Sequence, residues 1–249
     1  MQFIDTHIHL QDYKLNSTPQ IIRISQIHGV AKLVCVSSRL QDWHKVAELS
    51  ASFADVIPAF GVHPWYVADL PADWEEKLRA LLIQNPQAWV GEVGLDRLKN
   101  PAPQPQKEVF AAQIVLAREL NRPLSVHLLK AEMWLRELVS DMKSLSWVWH
   151  SFAASKEAAE FALKNGAYLS FSQGSVRSKH FAAVAAQVPA ERILLESDGP
   201  YQPLTKGGES NPSYLPQLLK QIAAVRGEDE NILGKQIATN SQRLINGNR

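Results

Sequence analysis

The chain has 249 residues, 45% hydrophobic and 20% charged, with a formal net charge of +1. These values are ordinary for a globular protein and leave out disordered, collagen-like and bulk-charge polyanion-binding chains, although a local basic rim can still bind phosphate. The lone cysteine, Cys35, excludes an intramolecular disulfide, and no run approaches the ~18 apolar residues of a membrane span.

Met1–Leu10 carries Asp5, His7 and His9 and no cationic segment, so the start does not read as a secretory signal, and a cytoplasmic location is expected. The first strand is expected over Phe3–His7. A helix follows, with Thr18 as N-cap, Pro19 in its first turn and His28-Gly29 as its stop. Strands are expected next at Lys32–Ser37 and Val56–Val62, with Cys35 a buried small hydrophobe. Trp74, Leu78, Leu81 and Leu82 form one helical face, and Val109, Ala112, Leu116 and Leu120 form another, on either side of a strand at Trp89–Val93. Strands at Leu124–His127 and Trp147–His150 precede a helix capped by Ser155 and ended by Asn165-Gly166. The last two strands are Tyr168–Phe171 and Ile193–Glu196, and the tail from Pro212 to Ile245 reads as two further helices.

Most of these strands are continuous apolar runs, which suits burial on both faces of a parallel sheet. Strand–helix alternation implies right-handed crossovers. Eight such units at this length predict an α/β fold, a (β/α)8 TIM-type barrel with additional C-terminal helices, forming a single domain over residues 1–249. An open doubly wound sheet is the alternative.

Metal-capable side chains fall at the C-terminal ends of these strands. His7 and His9 end the first, and His63 follows the third. Glu92 lies at the end of the fourth, His127 ends the fifth, His150 the sixth, and Asp198 follows the eighth. In a closed barrel those ends meet at one mouth, where barrel enzymes carry their sites. Residues two apart on a strand point the same way, so His7 and His9 can grip one ion with Ile8 facing away. A carboxylate in the apolar strand of Glu92 is costly unless paired, and its two oxygens can bridge two cations. The mixed donor set does not name the metal: its imidazoles favour zinc, manganese, iron, cobalt or nickel over magnesium.

Five motifs carry a resemblance: Asp5-Thr6-His7-Ile8-His9-Leu10, Gly61-Val62-His63-Pro64, Gly91-Glu92-Val93-Gly94-Leu95-Asp96, His150-Ser151-Phe152 and Glu196-Ser197-Asp198-Gly199-Pro200-Tyr201. In this order, and with Asn211-Pro212 and Asn240 in the tail, they resemble the TatD-type metal-dependent deoxyribonucleases of the amidohydrolase superfamily. The resemblance implies two divalent ions, one held by His7, His9, Glu92 and Asp198 and the other by Glu92, His127 and His150, with His63 beside the substrate phosphate. It implies hydrolysis of phosphodiester bonds, with DNA as partner, as single strands or exposed ends. The chain departs from the family pattern at Leu128-Leu129-Lys130, at Ala153-Ala154, at Ser197 and Gly199, and at Gly207-Gly208-Glu209-Ser210, where the usual arginine and glutamate are missing. None of these positions is an expected metal ligand, but they thin out the cations around the substrate. A small phosphodiester, ester, lactone or cyclic amide is therefore the alternative substrate.

The groups then suggest roles. Asp198 is the candidate general base. His63 is placed to donate to a phosphate oxygen or to the leaving alkoxide, and Asp96 and Glu196 to orient histidines. Lys130 is expected at the substrate, with Arg97, Lys99, Arg177, Lys179 and Lys206 as further cations on the same face. Trp65, Tyr66 and Tyr201 are positioned to stack a base.

Overall fold

A computed structural model describes residues 2–99 and 102–246. Eight strands form one parallel sheet in chain order: β1 (Phe3–Ile8), β2 (Val30–Val36), β3 (Val56–Phe60), β4 (Trp89–Asp96), β5 (Leu124–Leu129), β6 (Trp147–Trp149), β7 (Ala167–Phe171) and β8 (Ile193–Leu195). Only a short seam joins β8 to β1. It holds the parallel bridge Ile8–Gly199, with His9 N–H donating to Gly199 O at 2.7 Å and Asp198 N–H to His7 O at 3.0 Å. Asp5 extends the seam, accepting from Ser197 N at 3.0 Å. The expected (β/α)8 barrel is thus present, and its closure runs through three of the predicted site residues.

Ten α-helices lie outside the sheet among the described residues: α1 (Thr18–Ile27), α2 (Leu40–Ser52), α3 (Trp74–Gln84), α4 (Pro103–Glu119), α5 (Glu132–Leu135), α6 (Lys156–Lys164), α7 (Gln173–Val176), α8 (Phe181–Ala185), α9 (Leu215–Arg226) and α10 (Glu230–Asn246). The last two are the extra tail helices. The cap of α1 is Ser17 rather than Thr18. Ser17 and Gln20 form a reciprocal capping box, which satisfies two free N–H groups where Thr18 would satisfy one. Ser155 caps α6, and Gly166, at φ 88°, follows its last turn, as expected.

The strands bury two layers. On β2, Leu33 and Cys35 pack into the large core under the helices, while Val34 and Val36 join Ile4, Ile57, Trp89, Val148 and Leu194 in a second, inner cluster. This alternation with both faces apolar is why the strands read as continuous runs. Leu244 of α10 joins the inner cluster from the N-terminal end of the barrel, so apolar side chains fill the lumen there. The polar residues are left to the opposite end.

Seven of the eight C-terminal strand ends differ from the sequence reading by one to three residues, and that of β7, Phe171, agrees. Val62, His150 and Glu196 stand just beyond their strands, and β4 and β5 run on to Asp96 and Leu129. Beyond the strand ends the backbone turns sharply: Lys130, Ser151, Asp198 and Gln202 have φ between 47° and 55°. Left-handed conformations are costly for residues with a Cβ, and they collect where a site dictates the backbone.

Candidate metal centre

Two bulges aim the central residues. On β4, three steps from Val90 to Val93 match two on β5, from Leu124 to Val126. On β1, three steps from Asp5 to Ile8 match two on β2, from Leu33 to Cys35. An extra residue in a ladder re-aims its side chain, here Glu92 and the Thr6-His7 pair. Gly94 follows the first bulge, where β4 runs close against β5. Its φ is 131°, and a Cβ there would lie 2.0 Å from His127 O.

All of the strand-end candidates converge. Glu92 is at the middle, 5% exposed, with its oxygens divided between two groups of histidines. Oε2 lies 3.8 Å from His7 Nε2 and 3.7 Å from His9 Nε2. Oε1 lies 2.9 Å from His150 Nε2, 3.2 Å from His127 Nδ1 and 3.4 Å from His63 Nε2. Asp198 Oδ1 joins the first group, 3.9 Å from His7 Nε2 and 3.7 Å from His9 Nε2. The two groups are close: His7 Nε2 and His9 Nε2 are 3.2 Å apart, and the His7 and His150 rings stack at 3.9 Å. His7, His9 and Asp198 offer three donors within 4.8 Å of one another, as do His63, Glu92 and His127, and so do His7, His150 and Glu196.

The outward nitrogens are held from behind. Asp96 Oδ2 lies 3.3 Å from His127 Nε2, and Glu196 Oε1 lies 3.3 Å from His150 Nδ1. A carboxylate only accepts, so those nitrogens carry protons, and when the rings are neutral the inward nitrogens have lone pairs to offer an ion. His7 Nδ1 is paired with Ser125 Oγ at 2.9 Å, again leaving Nε2 inward. His63 has the opposite polarity. Its Nδ1 accepts from Trp65 N at 3.1 Å, so in the neutral ring Nε2–H faces Glu92 as a donor. His63 is therefore within ligand distance, yet it presents a proton rather than a lone pair.

The charges fit cations. Among the described residues, Glu92, Asp96, Glu196 and Asp198 have only histidines as ion-pair partners. Burial by itself would raise Glu92, but His63, His150 and His127 outweigh it and hold it well below the usual range. Burial would likewise lower His150, but Glu92 and Glu196 raise it well above its ordinary value, and Asp96 and Glu92 raise His127. Without metal, the His127 and His150 rings thus favour protonation against their desolvation cost, which marks local negative charge around them. His7 and His9 are lowered by burial, His63 falls to about 3 for the same reason, and burial lifts Asp198 to about 8. Among the described residues, two buried atoms of this cluster, His9 Nδ1 and Glu196 Oε2, have no hydrogen-bond partner. A divalent cation is the group this donor set accommodates.

The centre opens into a cavity of about 480 Å³ whose walls include Trp65, Leu128, Leu129, Ala153 and Tyr201. A larger cavity of about 1090 Å³ sits at the N-terminal ends of β4 and β5 against α10, but no histidine or carboxylate lines it among the described residues. Tyr201, half-exposed, donates to Asp12 Oδ2 at 2.9 Å. Lys130 is exposed one residue past Leu129 and does not line the site cavity.

Several site residues escaped the sequence reading. Gln202 donates through Nε2 to Asp198 Oδ2 and to Ser151 Oγ. Ser125 supports His7, and Ser38 Oγ donates to Glu92 Oε2 at 3.4 Å. Two buried glutamines of α4 clamp the backbone beside the centre. Gln113 pairs with Val62 N and O at 2.8 and 3.2 Å, and Gln106 with Asp96 N and O at 2.7 and 3.0 Å. Polar residues on the buried face of an amphipathic helix were the one available signal. Two departures in the motifs acquire structural reasons. At Gly199 a Cβ would lie 2.1 Å from Tyr13 Oη, and Glu209 accepts from Lys14 N and Leu15 N at 2.7 and 3.0 Å, tying two loops together.

A (β/α)8 barrel with a buried histidine–carboxylate cluster at the C-terminal ends of its strands defines a metal-dependent hydrolase. Comparison with known proteins gives the family. The profile described as TatD related DNase matches residues 4–246, and the chain belongs to that family. It is 29% identical over 236 residues to the 3'-5' ssDNA/RNA exonuclease TatD of Escherichia fergusonii, covering 87% of this chain and 88% of that one. The same enzyme of Cronobacter sakazakii is 29% identical over 239 residues, covering 91% and 90%. Among solved structures, the TatD homologue YJJV of Escherichia coli superposes with a TM-score of 0.89 at 24% identity, and a TatD family hydrolase of Entamoeba histolytica with 0.87 at 19%, each covering 98% of both chains.

Proposed function

We propose that the chain is one hydrolase domain that cleaves phosphodiester bonds of DNA, at single strands or exposed ends, using two divalent ions. His7, His9, Glu92 and Asp198 would hold one ion, and Glu92, His127 and His150 the other. The observation that carries this reading is the division of Glu92, one oxygen facing His7 and His9 and the other facing His127 and His150. Bound ions would supply Lewis-acid polarisation of the phosphate and a water acidic enough to lose its proton near neutral pH; the imidazoles favour zinc or manganese, and the carboxylates also admit magnesium.

The chain's own groups supply the rest. Asp198 accepts the proton lost by water: burial lifts it to about 8 in the metal-free site, and beside a bound cation it returns to the ionised form that a base requires. Gln202 fixes the Oδ2 side of that carboxylate. His63, neutral and with its proton on Nε2, donates to a phosphate oxygen. A ring lowered to about 3 is a poor source of a full proton for the leaving alkoxide, so the hydrogen-bonding role is favoured. Asp96 and Glu196 hold His127 and His150 in their working tautomers. Lys130, at the rim, meets a phosphate outside the cavity, and Tyr201 a base. A cytoplasmic location fits a chain with one buried thiol and, among its described residues, no helix long and apolar enough to cross a membrane.

The apolar wall of Leu128, Leu129 and Ala153 favours a second reading, hydrolysis of a small phosphodiester, ester, lactone or cyclic amide. Both are tested by one panel: a labelled single strand, a duplex with overhanging ends, bis(p-nitrophenyl) phosphate, and an ester, a lactone and a cyclic amide, each with manganese, magnesium or zinc. Strand cleavage is expected. Turnover of small substrates alone would transfer the assignment to the second reading.

A further inference from the structure

We propose that Trp65 and Tyr201 are two base-stacking platforms, one on each side of Glu92, and that stacking rather than charge grips the nucleotides flanking the scissile phosphate. This rests on the phosphodiesterase reading. No lysine or arginine lines the site cavity among the described residues, although a nucleic-acid strand is a polyanion. Its most exposed aromatic side chains are instead Trp65 at 45% and Tyr201 at 50%.

The two rings are related in their setting. Trp65 stands edge-on to His63 at 4.9 Å, beside the Oε1 group of histidines, and its Nε1–H donates to Asp96 Oδ2 at 2.6 Å. Tyr201 stands edge-on to His9 at 5.1 Å, beside the Oε2 group, and its hydroxyl donates to Asp12 Oδ2 at 2.9 Å. A carboxylate therefore pins each ring at its polar end, while about half of each residue stays exposed and both line the cavity. Ordering has been completed before a ligand arrives, so the stacking gain is not spent on freezing a rotamer. Scattered exposed aromatics need no explanation, but a pinned pair on either side of a reactive centre has the form of a subsite for one step of a strand. Lys99 Nζ lies over one face of the Trp65 ring, 5.1 Å from its centroid, so a base stacking on that face displaces the lysine, which stays nearby as one added charge. Leu128 and Leu129 extend the apolar surface.

Stacking is indifferent to base identity, so the substrate class is a single-stranded, unpaired dinucleotide step of any sequence. Each stack is expected to contribute about 5- to 150-fold to kcat/KM. Its salt dependence should be shallow: if only Lys99 and Lys130 meet phosphates, log kcat/KM at low substrate falls with log salt at a slope of about −1.4.

The manganese-loaded enzyme is assayed on short single strands that are intact, or abasic at the last or the penultimate nucleotide of each end in turn. An abasic site next to the cleaved linkage is expected to lower kcat/KM about 5- to 150-fold. Trp65→Ala should cause a loss of similar size on the intact strand and little further loss on the strand abasic at the matching position. Trp65→Phe keeps a ring but loses the bond to Asp96, so it should keep the discrimination between intact and abasic strands, and Tyr201→Phe should do the same at the other position. Equal kcat/KM on intact and abasic strands, or an undiminished Trp65→Ala loss on every abasic strand, overturns the proposal while leaving the nuclease reading standing. Cleavage of no strand by an enzyme that hydrolyses bis(p-nitrophenyl) phosphate overturns the nuclease reading, and this proposal with it.

Discussion

Gln113 offers a test of how the fold holds its site. Its side chain is fully buried in α4 and pairs with both backbone groups of Val62, the residue before His63. Gln113→Leu keeps the approximate volume and removes both hydrogen bonds. Two orphaned backbone groups cost about 1–3 kcal/mol each, hence about 4 kcal/mol at mid-range. Apolar burial of the leucine returns about 1.5–3 kcal/mol. The net loss is about 2 kcal/mol, which for a domain of this size lowers Tm by about 4–8 °C. Gln113→Ala lacks the compensation and leaves a cavity, so it should fall further. Calorimetry at fixed metal concentration reads the stability, because bound metal stabilises by mass action, and kcat/KM on the best substrate from the panel reads the site. Activity should fall by more than stability explains, since His63 loses the anchor of the residue before it. Leucine and alanine variants that both melt within about 2 °C of wild type with unchanged kcat/KM would refute the clamp.

Glu92→Gln should lose most metal and most activity with the circular dichroism unchanged, because the amide keeps the shape but not the charge facing both histidine groups; wild-type turnover in a folded, metal-poor sample would sink the shared-carboxylate centre. His63→Ala should strongly lower strand cleavage at unchanged metal content, and metal analysis beside the rate separates this from a ligand's loss. Lys130→Ala should weaken substrate binding and reduce the salt slope by about 0.7, read from KM across a salt series. Burial lifts the Cys35 thiol to about 12. A folded-state value raised above the unfolded one gives stability that is complete below the ordinary thiol range and is lost as pH rises towards 12. Native protein at pH 8.5 should therefore react with a thiol reagent only at its opening rate, and rapid labelling of folded protein would contradict the burial.

The order of elements and the residues at the strand ends were legible in the chain. Apolar runs of strand length alternate with helical periodicity, and both patterns are local, so they survive without knowledge of the fold. The phasing of His7, His9, His63, Glu92, His127, His150 and Asp198 was legible for the same reason: each sits at a strand end, and a closed parallel barrel brings all such ends to one mouth. What a linear pattern does not carry is register. His7 Nδ1 meets Ser125 Oγ across 118 positions, and that pairing exists only because the barrel brings the end of β1 level with the start of β5. The bulges that turn Glu92 and His7 inward, the reversed tautomer imposed on His63 by Trp65 N–H, and the pinning of Trp65 and Tyr201 by Asp96 and Asp12 also depend on neighbours from other strands and loops. The sequence by itself determined which side chains reach the mouth, because strand length and alternation are set by adjacent residues. Tertiary structure alone decided which atom of each one faces the centre, because hydrogen-bond direction is set by whichever donor or acceptor the closed barrel brings behind it.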